Sequence, residues 1–372
     1  MTGPDIPPDS HMRMALEWAQ ESLFITSPNP RVGCVLVSEG GEVIGLGRTQ
    51  MAGGAHAEVM ALRDAAQRGI SVRGATAYVT LEPCSHHGRT GPCCDALVAA
   101  GVRKVVASIA DPNPLVGGRG FERLRAAGVE VEVGCGAKEA RELNIGFFSR
   151  MIRQRPWVRL KLALSMDGYT ALPDGSSQWI TSAAARADGH LWRARACAVM
   201  SGVGTVLADD PLLNVRGVTT PRQPMLAVVD SQLRTPPTAA LLNVERSVLI
   251  YTASTDLRKS APLEARGASV CCFGNDQARV DLGAVLNDLA TRGVNELHVE
   301  AGATLNGVLL CSGFVDELLI YMAPKLLGGG LGFAAMPSVN VLSDAVCLRY
   351  QSIDAVGEDV RLVARVCGAD AF

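Results

Sequence analysis

The sequence predicts an α/β protein folded as two domains. Three observations carry this: a chain of 372 residues, a regular alternation of β-branched runs with helix-period segments, and a fresh start of that alternation beyond Pro156. A single hydrophobic core stops growing at ~250–300 residues, so this length calls for two. The composition agrees: 48% hydrophobic and 19% charged residues, with a mean hydropathy of +0.19, lie far from the profile of disorder.

Asp9 and Ser10 are positioned to cap a helix through Met14, Leu16, Trp18 and Ala19, whose apolar spacing follows the helical period. Pro28 and Pro30 break the chain, and Cys34–Val37 and Val43–Leu46 then read as two strands joined by a glycine-containing turn. A helix His56–Arg68 opens after Gly53-Gly54. Strand Ala75–Leu81, helix Cys94–Ala100, strand Val102–Ala107, helix Phe121–Ala127 and strand Val129–Val133 follow, an order that implies a mixed or parallel sheet. Residues 136–150 read as one polar helix, and the break at Pro156 sets domains of 1–150 and 151–372.

The second half begins with strand Val158–Ala163, helix Ala183–Ala194 and strand Ala198–Ser201. Strands near Met225–Val229 and Val248–Tyr251 follow in a proline-punctuated stretch. Residues 295–310 read as a strand ending at Glu300, a glycine turn and a helix, and Leu318–Met322 as a further strand. No internal repeat or low-complexity tract interrupts the pattern.

Charge and cysteine content exclude several function classes. Lys and Arg number 35 against 37 Asp and Glu, divided 15 against 16 in residues 1–150 and 20 against 21 beyond. Neither half carries the basic excess of a dedicated nucleic-acid surface. No apolar run reaches the ~18 residues of a membrane helix, and the first residues lack the pattern of a secretory leader. The 11 cysteines, odd in number and partly tandem at Cys93-Cys94 and Cys271-Cys272, suit reduced thiols rather than a disulfide framework. A cytoplasmic protein with no membrane and no nucleic-acid partner is expected.

The first half carries a His-x-Glu sequence, His56-Ala57-Glu58, at a helix start. Pro83-Cys84 ends a strand, and Cys93 follows after a loop. One imidazole and two thiolates are three ligands for a tetrahedral Zn²⁺ with the fourth position open to water. Glu58 is then free to shuttle a proton. This is the pattern of zinc nucleobase deaminases, in which activated water attacks an amidine-like ring carbon and ammonia leaves. The usual second element is Pro-Cys-x-x-Cys, whereas eight residues separate Cys84 from Cys93 here. Cys94, His86 and His87 therefore compete for the third ligand position. Cys93 is preferred because it follows Pro92 at a helix start, whose positive end favours a thiolate. A purely structural alternative has His56 and Glu58 capping a helix and the cysteines packing.

In the second half, Gly202-Val203-Gly204 lacks the third glycine of a dinucleotide fingerprint. The stretch from Glu300 to Gly307 places a glycine turn and a helix N-terminus after a strand, suited to binding phosphate through backbone N–H groups. No Gly-Lys-Ser/Thr follows, which excludes a P-loop. Thr205, Asp209, Asp210 and Arg216 are expected in one loop, and Ser177, Gln178 and Trp179 in another. A structural alternative has the Asp pair making a turn and Trp179 filling a core.

Taken together, SPNPRVGCVLV, AGGAHAEVMAL, TLEPCSHHGRTGPCCDALVAAGV, ASIADPNPLVGGRG, LKLALSMDGYTA, SQWITS, GTVLADDPLLNVR, VVDSQLRTP, VEAGATLNG and YMAPKLLGG resemble one family across nearly the whole chain. It is the bifunctional riboflavin-biosynthesis family, a diaminohydroxyphosphoribosylaminopyrimidine deaminase fused to a 5-amino-6-(5-phosphoribosylamino)uracil reductase. The resemblance implies a cytidine-deaminase-like three-layer α/β domain followed by a dihydrofolate-reductase-like α/β domain. It implies zinc on His56, Cys84 and Cys93, with Glu58 as proton shuttle, the longer loop replacing the short Cys-x-x-Cys spacing.

It further implies NADPH as reductant, with Ala163, Trp179, Thr205, Asp209, Ser231, Gly302, Ala303, Thr304, Leu305, Asn306, Gly307 and Val308 at cofactor positions. Ser177, Arg193, Leu213, Arg216 and Glu300 fall on positions for the phosphoribosylaminopyrimidine substrate. Two arginines suit a sugar phosphate, and Lys161 is a candidate to polarise the sugar's imine or carbonyl. The implied sequence of reactions is hydrolytic deamination of 2,5-diamino-6-(5-phosphoribosylamino)pyrimidin-4-one, then reduction of the ribosyl chain to ribityl. The rival class is a nucleic-acid or other nucleotide deaminase carrying an unrelated reductase-like domain, against which the near-neutral first half argues. A homo-oligomer is expected, with dimer and tetramer both open.

Overall fold

A computed structural model describes residues 9–85, 91–114 and 116–372. The chain divides into two compact units, Met1–Arg153 and Gln154–Phe372.

The first unit runs α1 (Ser10–Gln20), β1 (Gly33–Val37), β2 (Val43–Arg48), α2 (Ala57–Gln67), β3 (Thr76–Val79), α3 (Cys93–Ala99), β4 (Lys104–Ala107), α4 (Arg119–Ala126), β5 (Glu130–Val133), α5 (Ala137–Leu143) and α6 (Ile145–Arg153). Asp9 caps α1 as anticipated, accepting from the Met12 N–H at 2.8 Å. The strands form one sheet in the order β2-β1-β3-β4-β5, with β1 antiparallel to both neighbours and β3, β4 and β5 parallel.

Strand alternation assigns the two faces of this sheet to different helices. On one face Met12 and Ala15 of α1 pack with Val35, Val37 and Val106. On the other, Gly47 lets α2 lie directly on β2, since a Cβ there would come within 2.0 Å of the Ala57 carbonyl oxygen. That close approach fixes the start of α2, where His56 and Glu58 sit.

Residues 136–150 do not form one polar helix. Asn144 leaves helical geometry at φ −114° and turns its side chain to the backbone of Arg31, accepting from its N–H and donating to its carbonyl, both at 2.8 Å. The segment therefore splits into α5 and α6, and α6 buries Ile145, Phe147 and Phe148.

The second unit runs β6 (Trp157–Ser165), β7 (Tyr169–Ala171), α7 (Ala183–Arg195), β8 (Ala198–Gly202), α8 (Val203–Asp209), β9 (Met225–Val229), β10 (Val248–Thr252), α9 (Leu257–Glu264), β11 (Ala268–Cys272), α10 (Leu282–Thr291), β12 (Glu296–Val299), α11 (Ala303–Cys311), β13 (Glu317–Ala323), β14 (Leu331–Gly332), β15 (Leu348–Val356) and β16 (Asp359–Val366). Nine strands form one sheet in the order β11-β10-β9-β8-β12-β6-β13-β16-β15. The first seven are mutually parallel, and β16 and β15 close the edge as an antiparallel hairpin.

Strand β6 lies near the centre. Its Val158, Leu160, Leu162 and Leu164 pack with Val285, Leu286 and Leu289 of α10 and Leu309 of α11. The alternate side carries Arg159 and Lys161. Arg159 is buried beneath Trp192 of α7, 4.5 Å from its ring, and pairs with Glu317 at 2.6 Å and Glu296 at 3.0 Å. A buried guanidinium is tolerated because two carboxylates and an aromatic face meet it.

Thr205 and Asp209, expected in a loop, lie in α8; the chain turns only at Asp210, whose φ is 41°. Lys161, expected at a strand end, lies within β6. No helix among the described residues is long and apolar enough to cross a membrane.

Candidate functional site

In the first unit three chain breaks converge. His56 is the N-cap of α2 but makes no side-chain capping bond, Cys84 follows β3, and Cys93 is the first residue of α3. Their ligand atoms all lie within 4.8 Å of one another. His56 Nδ1 is 3.5 Å from Cys84 Sγ and 3.3 Å from Cys93 Sγ. Zinc bonds of ~2.0–2.1 Å to nitrogen and ~2.3 Å to sulfur, opened to a tetrahedral angle, require N···S separations of about 3.5 Å. The donor set fits zinc in both chemistry and spacing. Cys94, the described competitor, points elsewhere, with its Sγ 3.1 Å from the Pro83 carbonyl oxygen and 3.5 Å from that of Gly120. His86 and His87 lie outside the described residues.

The helix-start argument for Cys93 needs correcting in one respect. The Cys93 N–H points at Cys84 Sγ, 3.4 Å away, so the positive end of α3 serves the partner sulfur. The Cys93 thiol also donates to Cys84, and together with His56 these bonds outweigh burial and bring Cys84 down to about 4. Cys93, as the donor and buried, is pushed up. Its hydrogen bond with Cys84 raises His56. Glu58 is 3% exposed, and burial, then the Cys84 thiolate, push its carboxyl up to about 7.

A cavity of about 540 Å³ opens on this cluster, lined among others by His56, Glu58, Cys84, Asn29, Asp111 and Asn113. The sequence reading missed Glu82, which organises the rim. Its buried carboxylate accepts from the N–H groups of Asp111 at 3.0 Å, Gly118 at 2.9 Å and Gly120 at 2.8 Å. Gly120 is required there, because a Cβ would meet the Pro83 carbonyl oxygen at 2.1 Å. The Leu-Glu-Pro-Cys run hinted at this, since an acidic residue beside a ligand at a strand end usually has a task.

In the second unit charge gathers near the C-terminal ends of β8 and β12 and the middle of β6, close to the usual place for a ligand crevice in a parallel sheet. Glu300 follows β12 and accepts from Arg193 Nε at 2.7 Å, while His298 Nε2 approaches it at 3.3 Å. Burial pushes the Glu300 carboxyl up, but Arg193, His298 and Lys161 together hold it well below its usual range. Burial pushes Lys161 down, opposed by Glu300 and reinforced by Arg193. Arg193 also donates to the Asn214 carbonyl. Arg216 donates from its guanidinium to Asn214 Oδ1 at 2.6 Å and from its N–H to His190 Nδ1 at 3.2 Å. His190, another residue the sequence reading missed, thus ties α7 to the 214–216 loop. Burial, then Arg193 and Arg216, bring it down to about 4.

Two helix starts lie side by side next to this cluster. Gly302 caps α11 without a side-chain bond, and a Cβ on it would lie 3.9 Å from Thr205 Oγ1 in the first turn of α8. The Ala303 and Thr304 N–H groups belong to that open first turn and suit a phosphate. Asn306 and Gly307 have packing tasks: Asn306 donates to the Ala301 and Phe333 carbonyls at 3.0 and 2.8 Å, and a Cβ on Gly307 would strike the Ala335 carbonyl oxygen at 2.2 Å. Leu305 packs against the second-unit core, and Val308 is exposed.

The remaining positions occupy other segments. Trp179 is 63% exposed, which excludes a core role, and Arg186 stacks 4.5 Å from its ring. Ser177 is half-buried in the same loop, Ala163 lies in β6 and Asp209 is exposed at the end of α8. Ser231 follows β9 and accepts from the Val280 N–H at 3.2 Å. Leu213 buries its side chain at φ 48°, with its carbonyl held by Arg246.

Comparison with known proteins gives the same division. Residues 7–109 match the cytidine and deoxycytidylate deaminase zinc-binding region, and residues 156–362 match the RibD C-terminal domain. The chain is 45% identical to the riboflavin biosynthesis protein RibD of Escherichia coli over 365 residues, covering 95% of this chain and 97% of that protein. It is 40% identical to the Aquifex aeolicus protein of the same name, covering 94% and 96%. Among solved structures, Acinetobacter baumannii RibD superposes with a TM-score of 0.88 at 39% identity, covering 96% of this chain and 98% of that one. A diaminohydroxyphosphoribosylaminopyrimidine deaminase/5-amino-6-(5-phosphoribosylamino)uracil reductase from Thermotoga maritima superposes with a TM-score of 0.86 at 30% identity, covering 96% and 98%.

Proposed function

The chain belongs to the RibD family of riboflavin-biosynthesis proteins, and from that premise we propose how its residues divide the work of a bifunctional deaminase and reductase. The observation that carries the proposal is the His56, Cys84 and Cys93 triangle, two of whose members, His56 and Cys84, line one cavity with Glu58.

In the first step 2,5-diamino-6-(5-phosphoribosylamino)pyrimidin-4-one loses its 2-amino group to water. His56, Cys84 and Cys93 would hold zinc, which when bound supplies a Lewis acid that acidifies water. Glu58 takes a proton from the attacking water on its carboxylate and returns it to the departing nitrogen, so that ammonia leaves. Its burial keeps bulk water from competing for that proton.

In the second step the ribosyl chain is reduced to ribityl, giving 5-amino-6-(5-phosphoribitylamino)uracil. NADPH supplies the hydride. The first-turn N–H groups at Gly302, Ala303 and Thr304, with Thr205, would hold its phosphates, and the exposed face of Trp179 suits stacking. Ala163, Asp209, Ser231, Leu305 and Val308 complete the cofactor positions, with Asn306 and Gly307 fixing the α11 start. Arg193 and Arg216 orient the sugar phosphate, Glu300 accepts from sugar hydroxyl or ring N–H groups, and Ser177 and Leu213 bound the site. Lys161, whose hold on its proton burial weakens and Glu300 strengthens, is placed to polarise the imine or carbonyl carbon.

The substrate is a free nucleotide, and we place the enzyme in the cytoplasm, in keeping with an odd count of 11 cysteines, partly in tandem. A homo-oligomer is supported by the edge strand β15, which exposes Leu348, Tyr350 and Ile353.

Zinc removal tests the first-site assignment. Chelated protein and Cys93→Ser should both lose zinc and ammonia release while still oxidising NADPH on the deaminated intermediate. Ammonia release at the full rate without zinc would refute it.

A further inference from the structure

Three stretches of the second unit, LKLALSMDGYTA, SQWITS and YMAPKLLGG, meet beyond the C-terminal ends of β6 and β13, and Lys325 joins them. This lysine stands two positions after β13. Its carbonyl accepts from the Met166 N–H at 2.8 Å. The residues that follow are held by Asp167, whose carboxylate accepts from the N–H groups of Leu327 at 3.0 Å and Gly328 at 2.8 Å and from the Ser165 hydroxyl at 2.6 Å. The backbone that carries Lys325 is thus tied to the turn after β6.

From that anchored position the ammonium donates to two consecutive carbonyls, that of Trp179 at 3.1 Å and that of Ile180 at 2.7 Å. Among the described residues these are the side-chain hydrogen bonds that reach residues 177–180, and the next, from Arg186 to the Thr181 carbonyl at 2.7 Å, lies past them. A lysine suits the task, because its three N–H donors radiate from one point and can serve adjacent carbonyls. Arg186 also lies 4.5 Å from the Trp179 ring, yet the tryptophan stays largely exposed, so the indole is backed by a cation and still open to a ligand.

We propose that Lys325 is a positioning residue of the reductase site, holding the 177–180 loop so that Trp179 meets the cofactor already in place. The inference rests on the reading of Trp179 as a cofactor position. Without the two bonds the loop samples other arrangements, and the apparent affinity falls by the fraction that remains competent. Bound cofactor restores the arrangement, so the loss belongs in KM for NADPH and not in kcat.

The test measures NADPH oxidation on the deaminated intermediate by full-length protein carrying Lys325→Met, Lys325→Arg, Trp179→Ala, or Lys325→Met and Trp179→Ala together. Lys325→Met should raise KM for NADPH about 10-fold, as when the competent loop falls to about a tenth of the population, and leave kcat and KM for the intermediate within about 2-fold of wild type. Lys325→Arg, which keeps a charged donor, should recover most of the loss. Because the lysine acts through Trp179, the double variant should be no worse than Trp179→Ala alone. An unchanged thermal midpoint reports that the second unit is folded, and Lys325→Ala replaces Lys325→Met should the latter lower it. Losses that multiply in the double variant, or a rise in KM for the intermediate equal to that for NADPH, would mean a general structural role and overturn the inference. A wild-type KM for NADPH in Lys325→Met would overturn it as well. Trp179→Ala with a wild-type KM for NADPH would overturn the cofactor reading of Trp179 itself, and this inference with it.

Discussion

At Glu300, side chains from three separate elements set the charge of one carboxylate. Arg193, His298 and Lys161 all act on it, and none is near it in sequence except His298. The cluster of His56, Cys84 and Cys93 was legible because each sits after a strand or at a helix start and belongs to a recognisable pattern. Glu82 and His190 were not, because their partners are backbone N–H groups brought close only by folding. His190 makes a pH prediction. Its folded value of about 4, set by burial and then by Arg193 and Arg216, lies below the ordinary 6.5. Between those values the unfolded chain takes up a proton that the folded chain refuses, so its contribution is whole above about pH 6.5 and is lost as pH falls toward about 4. The thermal midpoint of the second unit should fall more steeply from about pH 7 to about pH 5 in wild type than in His190→Gln. Parallel profiles would contradict this.

At the scale of elements, the strand-helix alternation of both halves was readable from apolar periodicity. The failures have physical causes. Strand β15 is exposed along most of its length, so its sequence shows no buried face to recognise. The 136–150 segment looked like one polar helix because Lys138, Glu139, Arg141 and Glu142 dominate its composition, while Asn144 gives up helical geometry for Arg31. The seating of α2 depends on absent atoms at Gly47, which a sequence reader sees only as a weak strand residue. Replacing Gly47 by valine should push α2 off β2 and cost about 1–3 kcal/mol by overpacking. Calorimetry should show the first-unit transition lowered, with zinc content and ammonia release reduced and NADPH oxidation kept. A variant that keeps its zinc and its melting temperature would show that α2 tolerates displacement.

Across the whole molecule, two sheets of different topology carry two chemistries in one chain. The five-stranded sheet, part antiparallel, ends in a thiolate and imidazole cluster, and the nine-stranded sheet, mostly parallel, ends in helix starts and an arginine-carboxylate pair. Length, the Pro156 break and the two unlike sets of motifs are what suggested two parts. The exact neighbours of each site were not legible, since they depend on residues far apart in the chain. The central claim is that the two sites act independently, one on the base and one on the sugar. The most direct test follows ammonia release and NADPH oxidation separately, for wild type and Glu58→Gln, using the diaminopyrimidine substrate and the deaminated intermediate. The account predicts a fall in ammonia release of roughly 10²–10⁴-fold, with NADPH oxidation on the intermediate unchanged. Ammonia release at the wild-type rate, or loss of both activities in a folded, zinc-loaded variant, would contradict it.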